Sequence, residues 1–267
     1  MIGSMSTKNI VIFGETGAGK SSVINLMAGE EKAKTSLDTT RCTVRRERYP
    51  ITFDGYSYNV FDTIGLEDPQ LGIDEYLDAI MDARNLIKKL ENKGGIDLLL
   101  FCVRAGRPTA TIQTNYRLFY ESLCKKKFPI VLVLTGLERE QNMEDWWTTN
   151  KGIFDEYKID GHVCITAANN LDGRHKTLYE QSRQLVCSLV REHTHGKKES
   201  AWNGDGGYEE GDGGDGWFRR FMRKLSELLS GGHKKDIAAI LIKRYDVSPD
   251  DALHLARLIR QDLARRK

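Results

Sequence analysis

The feature that most constrains this chain is a glycine-rich loop set between an apolar run and a helical pattern. The run Ile10–Phe13 is typical of a buried strand, and residues 14–21 then read Gly-Glu-Thr-Gly-Ala-Gly-Lys-Ser. Glycines let backbone N–H groups turn towards phosphate oxygens, and a following helix adds the positive end of its dipole. Strand, loop and helix in this order predict a nucleotide phosphate site. Its predicted contacts are Gly14, Glu15, Thr16, Gly17, Ala18, Gly19, Lys20, Ser21 and Ser22.

A second motif supplies the acidic partner that such a loop needs. The run Tyr58–Phe61 is typical of a strand, and Asp62-Thr63-Ile64-Gly65 follows it directly. We expect Asp62 to contact Mg²⁺ through water, beside a direct contact from the Ser21 hydroxyl. Lys20 is expected at the β- and γ-phosphates, and the backbone N–H of Gly65 at the γ-phosphate. The two motifs together predict a nucleoside triphosphatase of the GTPase kind.

A mobile threonine is expected as a further Mg²⁺ ligand between these two motifs. The stretch 36–43 offers Thr39, Thr40 and Thr43. We favour Thr43, because alternation typical of a strand begins directly after it, but the choice among the three stays open. With Lys20 and Gly65, Thr43 completes the predicted catalytic set.

The base is expected to contact the segment that follows the apolar strand 130–134. This segment reads Thr135-Gly136-Leu137-Glu138, and the Glu138 carboxylate can accept both guanine protons. A later strand near 163–165 is followed by small residues, of which Ala167 is predicted to donate its N–H to guanine O6. GTPases usually carry a lysine where Gly136 stands, so a low-specificity NTPase or an ATPase remains the alternative.

The motif order resembles the septin-like branch of P-loop GTPases. The segment Arg104-Ala-Gly-Arg-Pro-Thr109 makes the chain most similar to the immunity-associated GTPases, or to an outlying fungal-type relative, over roughly residues 8–195. The resemblance implies GTP or GDP with Mg²⁺, and a homodimer or a nucleotide-dependent oligomer. Leu66 stands where Ras-like enzymes have a water-orienting glutamine, so we expect slow intrinsic hydrolysis. Dimerisation or a partner would complete the geometry, with candidate arginines at 41, 45, 104 and 107.

The alternation of strands and helices predicts an α/β fold with a mostly parallel central sheet covered by helices on both faces. Strands are predicted near 9–13, 44–53, 56–62, 97–103, 130–134 and 163–165, and helices near 20–28, 73–92, 111–125, 144–157 and 174–193. Residues 1–7 are expected to be a disordered terminus or a tag remnant. The GTP-binding domain is predicted over 8–195, followed by a linker at 196–216 and a helical appendage at 217–267.

The net charge of +2 gives no global nucleic-acid signature, so no nucleic-acid partner is expected. Five scattered cysteines fit no metal-ligand spacing and indicate reduced thiols, with Cys102 and Cys164 on predicted buried strands. The sequence shows no signal peptide and no apolar run of transmembrane length. We therefore expect a cytoplasmic protein, with peripheral contact to an intracellular membrane as an open question.

The segment from 196 onward changes character twice. Residues 199–216 hold six acids, seven glycines and no lysine or arginine, which is typical of a flexible linker. Residues 217–267 hold 13 lysines and arginines against six acids, and residues 217–229 form an amphipathic helical pattern. This helix can lie on an anionic membrane, dock to a partner or fold onto the nucleotide domain. A nucleotide-stabilised scaffold acting through this tail is a further alternative.

Overall fold

The computed structural model describes residues 6–34, 47–63, 73–106, 110–168 and 175–195, without the side chains of 73–81, 110, 111, 114 and 122. The chain divides into two compact units. The first comprises residues 1–71 and 78–201 and contains the whole sheet. The second comprises residues 72–77 and 202–267, of which only 73–77, the start of a helix, are described. The predicted linker and helical appendage lie outside the described residues.

The first unit is built on a six-stranded sheet in the order β2-β3-β1-β4-β5-β6. Only β2 runs antiparallel to its neighbour, so the predicted mostly parallel α/β sheet is confirmed. The strands are β1 Lys8–Gly14, β2 Arg48–Phe53, β3 Tyr56–Asp62, β4 Leu98–Arg104, β5 Ile130–Thr135 and β6 Gly161–Cys164.

Helices cover both faces of the sheet, which explains why its central strands are apolar over most of their length. Ile10 and Ile12 belong to a core that includes residues of the first and last helices. On the other face Phe13 stacks on Phe119 at 4.4 Å between ring centroids. Parallel strands covered in this way read as continuous apolar runs. Cys102 and Cys164, predicted on buried strands, are buried and free, as are Cys124 and Cys187.

The helices are α1 Lys20–Ala28, α2 Ile73–Glu91, α3 Ala110–Asn115, α4 Met143–Asn150 and α5 Lys176–His195. The predicted helix 111–125 is not uniform, because a π-helical segment, Tyr116–Leu123, follows α3. There Cys124 N–H donates to the carbonyl of Phe119, five residues back, at 2.9 Å. The predicted helix 144–157 ends early, at Asn150, and continues as a 3₁₀ turn, Lys151–Phe154. Among the helices in the described ranges, none is long and apolar enough to cross a bilayer.

The β2–β3 hairpin positions the strand that leads to Asp62. Its turn is Asp54-Gly55, and both residues have positive φ, 50° and 79°. This is the two-residue turn that matches the twist of the flanking strands. Arg191 of α5 donates to the Asp54 carboxylate at 2.8 Å, which ties the turn to that helix. Residues 35–46 lie outside the described part, so the predicted strand 44–53 is observed from Arg48.

The carboxyl ends of β1, β3, β4 and β5 meet at one edge of the sheet. Ile12 of β1 lies beside Asp62 of β3, and Arg104 of β4 lies beside Thr135 of β5. In open α/β sheets ligands bind at this edge, where neighbouring connections leave in opposite directions. The motifs predicted from separate stretches of sequence are thereby brought together.

Candidate nucleotide site

The phosphate loop between β1 and α1 depends on glycine at three positions. Gly14, Gly17 and Gly19 have φ of 147°, 80° and 85°, a region that other residues rarely adopt. A Cβ at Gly14 would also overlap the carbonyl oxygen of Cys102 on β4. The loop is closed by a hydrogen bond from Ala18 N–H to the Glu15 carbonyl at 3.1 Å. The sequence pattern is therefore explained by backbone conformation and by close packing on β4.

The first turn of α1 has no side-chain cap and no acidic residue. Its Ncap residue is Gly19, whose left-handed conformation turns the chain into the helix. The first N–H groups of a helix have no partner within the helix and carry its positive dipole end. An uncapped, acid-free helix start after a glycine-rich loop is a binding site for an anion such as phosphate.

Lys20 lies at this helix start and is held by the loop itself. Its Nζ donates to the carbonyls of Gly14 and Glu15, at 3.1 and 3.0 Å. Burial lowers the pKa of the Lys20 ammonium, and the nearby Asp62 carboxylate opposes that shift. The positive charge is thus fixed inside the loop, where Lys20 was predicted to meet phosphate oxygens.

Asp62 ends β3 beside the loop, and its charge is poorly satisfied. Burial raises the pKa of its carboxyl to about 6, while the charge of Lys20 and a hydrogen bond from Ser21 lower it. Its Oδ1 is buried and has no hydrogen-bond partner among the described residues. The neighbouring Thr63 donates its hydroxyl to the Ile12 carbonyl at 2.9 Å, which fixes the end of β3 on β1. A carboxylate with an unpartnered buried oxygen fits a hard cation such as Mg²⁺.

The predicted base-contacting segment is attached directly to the phosphate loop. The Thr135 hydroxyl donates to the Ala18 carbonyl at 2.8 Å. Gly136 follows with φ of 82°, Leu137 is buried, and Glu138 is half-buried. The sequence placed Thr135 at the nucleotide, but it could not show this hydrogen bond, because the two residues are 117 positions apart. Thr135 thus braces the loop against β5.

The segment after β6 is held in place by α5. Thr166 N–H donates to the Ser182 hydroxyl at 3.0 Å, and both residues are buried. Ala167 is half-buried and packs against the core. The backbone that carries the predicted O6 contact is therefore anchored on a helix.

Several predicted site residues lie outside the described part of the chain. They are the candidate Mg²⁺ threonines Thr39, Thr40 and Thr43, the phosphate contact Gly65, and the arginine-finger candidates Arg41, Arg45 and Arg107. Of the four candidate arginines the structure describes Arg104, which is exposed at the end of β4.

Residues 9–136 match the family model described as 50S ribosome-binding GTPase. The match spans the phosphate loop, Asp62 and the Thr135-Gly136 corner, which the structure brings to one edge of the sheet. This chain contains a GTP-binding GTPase domain. The prediction of a P-loop GTPase fold is confirmed, and the GTPase domain is the unit that carries the site.

The similarity to known proteins covers only part of this chain and only part of each relative. The tRNA modification GTPase MnmE of Pseudomonas aeruginosa strain UCBPP-PA14 is 33% identical over 163 residues, covering 59% of this chain and 30% of the relative. The chain thus spans less than a third of that protein. A crystal structure of Era with MgGDPNP and a 16S ribosomal RNA segment is 19% identical, with TM-score 0.49 over 66% of this chain and 57% of that one. Toc33 from Arabidopsis thaliana with GDP and Mg²⁺ is 19% identical, with TM-score 0.48 over 71% and 85%.

The resemblance to septin-like, immunity-associated GTPases is wrong. The matching family model is that of the 50S ribosome-binding GTPases, and the curated relatives are MnmE proteins; neither is a septin-like GTPase. The phosphate loop and the Asp-Thr-x-Gly motif on which the resemblance rested are shared across P-loop GTPases, so their order does not separate families. Residues 104–109 were the basis for choosing the immunity-associated family, but they carry Pro108 where that family's pattern has an aromatic residue.

Replacing Thr135 tests the brace between β5 and the phosphate loop. In Thr135→Val the side chain keeps its shape but loses the hydroxyl, which leaves the buried Ala18 carbonyl without this donor. We expect a loss of about 1–3 kcal/mol in the free energy of unfolding, measured by urea denaturation. Thr135→Ser retains the donor and is the matched control, expected to lose clearly less. Equal stability of the Val variant and the wild type would contradict the brace.

Proposed function

We propose that this chain is a Mg²⁺-dependent guanine-nucleotide switch whose intrinsic GTP hydrolysis is slow. The observation that supports it best is Asp62, a carboxylate with a buried, unpartnered Oδ1 beside Lys20 and Ser21. Since a buried carboxylate oxygen without a partner is costly, this carboxylate at the phosphate loop is best compensated by a cation. The proposal assigns that role jointly to Lys20 and to a metal ion that arrives with the nucleotide.

Phosphate binding rests on the loop and on the start of α1. The uncapped N–H groups of α1 and the Lys20 ammonium would both face the β- and γ-phosphates. Ser21 and Asp62 are the described residues that would hold Mg²⁺, which neutralises charge on the transferred phosphoryl group. One of Thr39, Thr40 and Thr43 and the Gly65 N–H remain predicted additions to this set.

Guanine selection is proposed to come from Glu138 and Ala167. Glu138 is half-buried and follows the buried Leu137, in a turn closed by a hydrogen bond from Glu140 N–H to the Leu137 carbonyl at 3.1 Å. A carboxylate accepts the two donors of guanine, whereas adenine presents a different pattern on the same edge. Because Gly136 provides no side chain over the base, a low-specificity NTPase or ATPase is the competing function.

Nucleotide binding separates these two functions. We expect GTP and GDP to bind at least about tenfold more tightly than ATP, a difference of roughly 1.4 kcal/mol, when measured by calorimetry with Mg²⁺. Lys20→Ala should abolish measurable binding, because it removes the ammonium that the loop carbonyls hold at the start of α1. Lys93→Ala, an exposed lysine after α2, is the matched control and should bind as the wild type does.

Equal affinity for ATP and GTP would assign the chain to general NTPases. Failure of the wild type to bind any of the three nucleotides would contradict the proposal altogether. Thermal unfolding of Lys20→Ala without nucleotide shows whether the variant is folded, so that a lost site is not confused with a lost fold.

Slow hydrolysis follows from the residue after the Asp-Thr-x-Gly motif. Leu66 has no group that could orient the attacking water. We expect the isolated protein to release phosphate from GTP at a rate well below about 1 per second, the lower end of usual enzyme rates.

If dimerisation completes the site, as we propose, the rate of hydrolysis per molecule rises with protein concentration. A rate at or above this value in dilute monomer would contradict slow hydrolysis, and a flat concentration profile would contradict activation by dimerisation.

Partners beyond the nucleotide remain proposals. The MnmE relative is named a tRNA modification GTPase, which weighs against the expected absence of a nucleic-acid partner, although this chain covers 30% of that protein.

We propose a cytoplasmic location, with residues 217–229 as the contact to an anionic membrane. That contact predicts that the full chain pellets with anionic liposomes while a chain ending at Gly216 does not. Equal pelleting of the two would contradict it.

A further inference from the structure

The base-contacting corner, residues 135–138, lacks a side chain that GTPases usually place over the purine base. Gly136 stands in that position, and its φ of 82° is one that other residues adopt only with strain. A lysine at 136 would therefore be disfavoured by the backbone itself. If the domain binds a purine, one face of the base needs another cover.

Arg104 fills the space beside Gly136. A Cβ at Gly136 would lie 3.3 Å from Cγ of Arg104, 3.6 Å from its Nε and 3.8 Å from its Cζ. Both the apolar stem and the guanidinium of Arg104 thus pass over the position where a side chain at 136 would begin. Arg104 is otherwise exposed.

The sheet fixes this arrangement. Arg104 is the last residue of β4 and lies opposite Thr135 in the parallel β4–β5 pair. The next residue, Ala105, donates its N–H to the Thr135 carbonyl at 2.8 Å, so the backbone on both sides of the contact is tied. The position of the Arg104 side chain therefore depends on strand register.

The same corner lies against the phosphate loop. The Thr135 hydroxyl is bonded to the Ala18 carbonyl, and a Cβ at Gly19 would lie 3.4 Å from that hydroxyl oxygen. Glu138, the predicted guanine acceptor, is two residues beyond Gly136 on the same segment. Gly136, which Arg104 contacts, therefore lies between the residue bonded to the phosphate loop and the predicted guanine acceptor along the chain.

We propose that the Arg104 guanidinium covers one face of the purine and takes the part of the side chain missing at Gly136, an inference that rests on the proposed nucleotide site. A guanidinium is planar and stacks on aromatic faces, so a single residue from β4 can supply both area and charge. Stacking of this kind is indifferent to which purine is present. Arg104 then contributes affinity, and Glu138 contributes the preference for guanine.

Calorimetry with three ligands tests this assignment. GDP, ADP and inorganic pyrophosphate are titrated into the wild type and into Arg104→Ala, with Mg²⁺. We expect the affinity of the variant for GDP to fall by about 2- to 30-fold, the range of a cation–π contact. The affinity for pyrophosphate, which has no base, is expected to stay unchanged, and the ratio of GDP to ADP affinity to be retained. Arg104→Lys should keep part of the lost affinity, because an ammonium also attracts an aromatic face.

Arg139→Ala is the matched control, since Arg139 is an exposed arginine next to Glu138. It should bind all three ligands as the wild type does. Unchanged GDP affinity in Arg104→Ala, with binding abolished in Lys20→Ala, would overturn the inference and leave the proposed function standing. An equal loss of GDP and pyrophosphate affinity would overturn it too, because Arg104 would then be supporting the loop. A loss of GTP hydrolysis without a loss of GDP affinity would make Arg104 a catalytic arginine instead.

Discussion

The opposed charges of Lys20 and Asp62 are the interaction on which the site depends. Burial penalises both groups: it lowers the pKa of the lysine and raises that of the aspartate to about 6, while each charge moves the other back. Neither residue can relax away, because Lys20 is bonded to two loop carbonyls and Asp62 ends a strand locked by Thr63. Removing either group would leave the charge of the other in this buried place without the opposing charge, which is costly. The site therefore holds its charges in place before any ligand binds.

Strand pairing in the sheet creates this arrangement and restricts which residues can start the phosphate loop. β1 is paired in parallel with β3 on one side and β4 on the other, so Ile12 lies beside Asp62 and Gly14 beside Cys102. The second pairing leaves no room for a Cβ at Gly14. A phosphate loop that starts from a central, fully buried strand must therefore begin with glycine. The same central position fixes where the loop begins, since β1 and β4 are buried almost along their whole length.

Local sequence predicted the parts of the site that depend on local backbone. The glycine-rich loop and the aspartate at the end of β3 are each set by residues within a few positions of one another, and the structure has both. The Thr135–Ala18 bond and the contact of Arg104 with Gly136 depend on strand register, which no single segment reveals. The π-helical segment was also missed. It carries the large side chains Tyr116, Phe119 and Tyr120 into the core, and helical spacing alone does not show how the backbone accommodates them.

The proposed site separates affinity from selectivity. Phosphate groups are common to every nucleoside triphosphate, so contacts from the loop and Lys20 to phosphate would not distinguish GTP from ATP. An arginine stacked on a purine adds affinity without distinguishing guanine from adenine. Discrimination would then come from the proposed contacts of Glu138 and of the Ala167 backbone, which follow the buried Leu137 and the Thr166–Ser182 hydrogen bond on two different segments. The Thr135–Ala18 hydrogen bond joins the base-contacting corner to the phosphate loop, so a substitution at Thr135 is expected to change both base contacts and phosphate affinity.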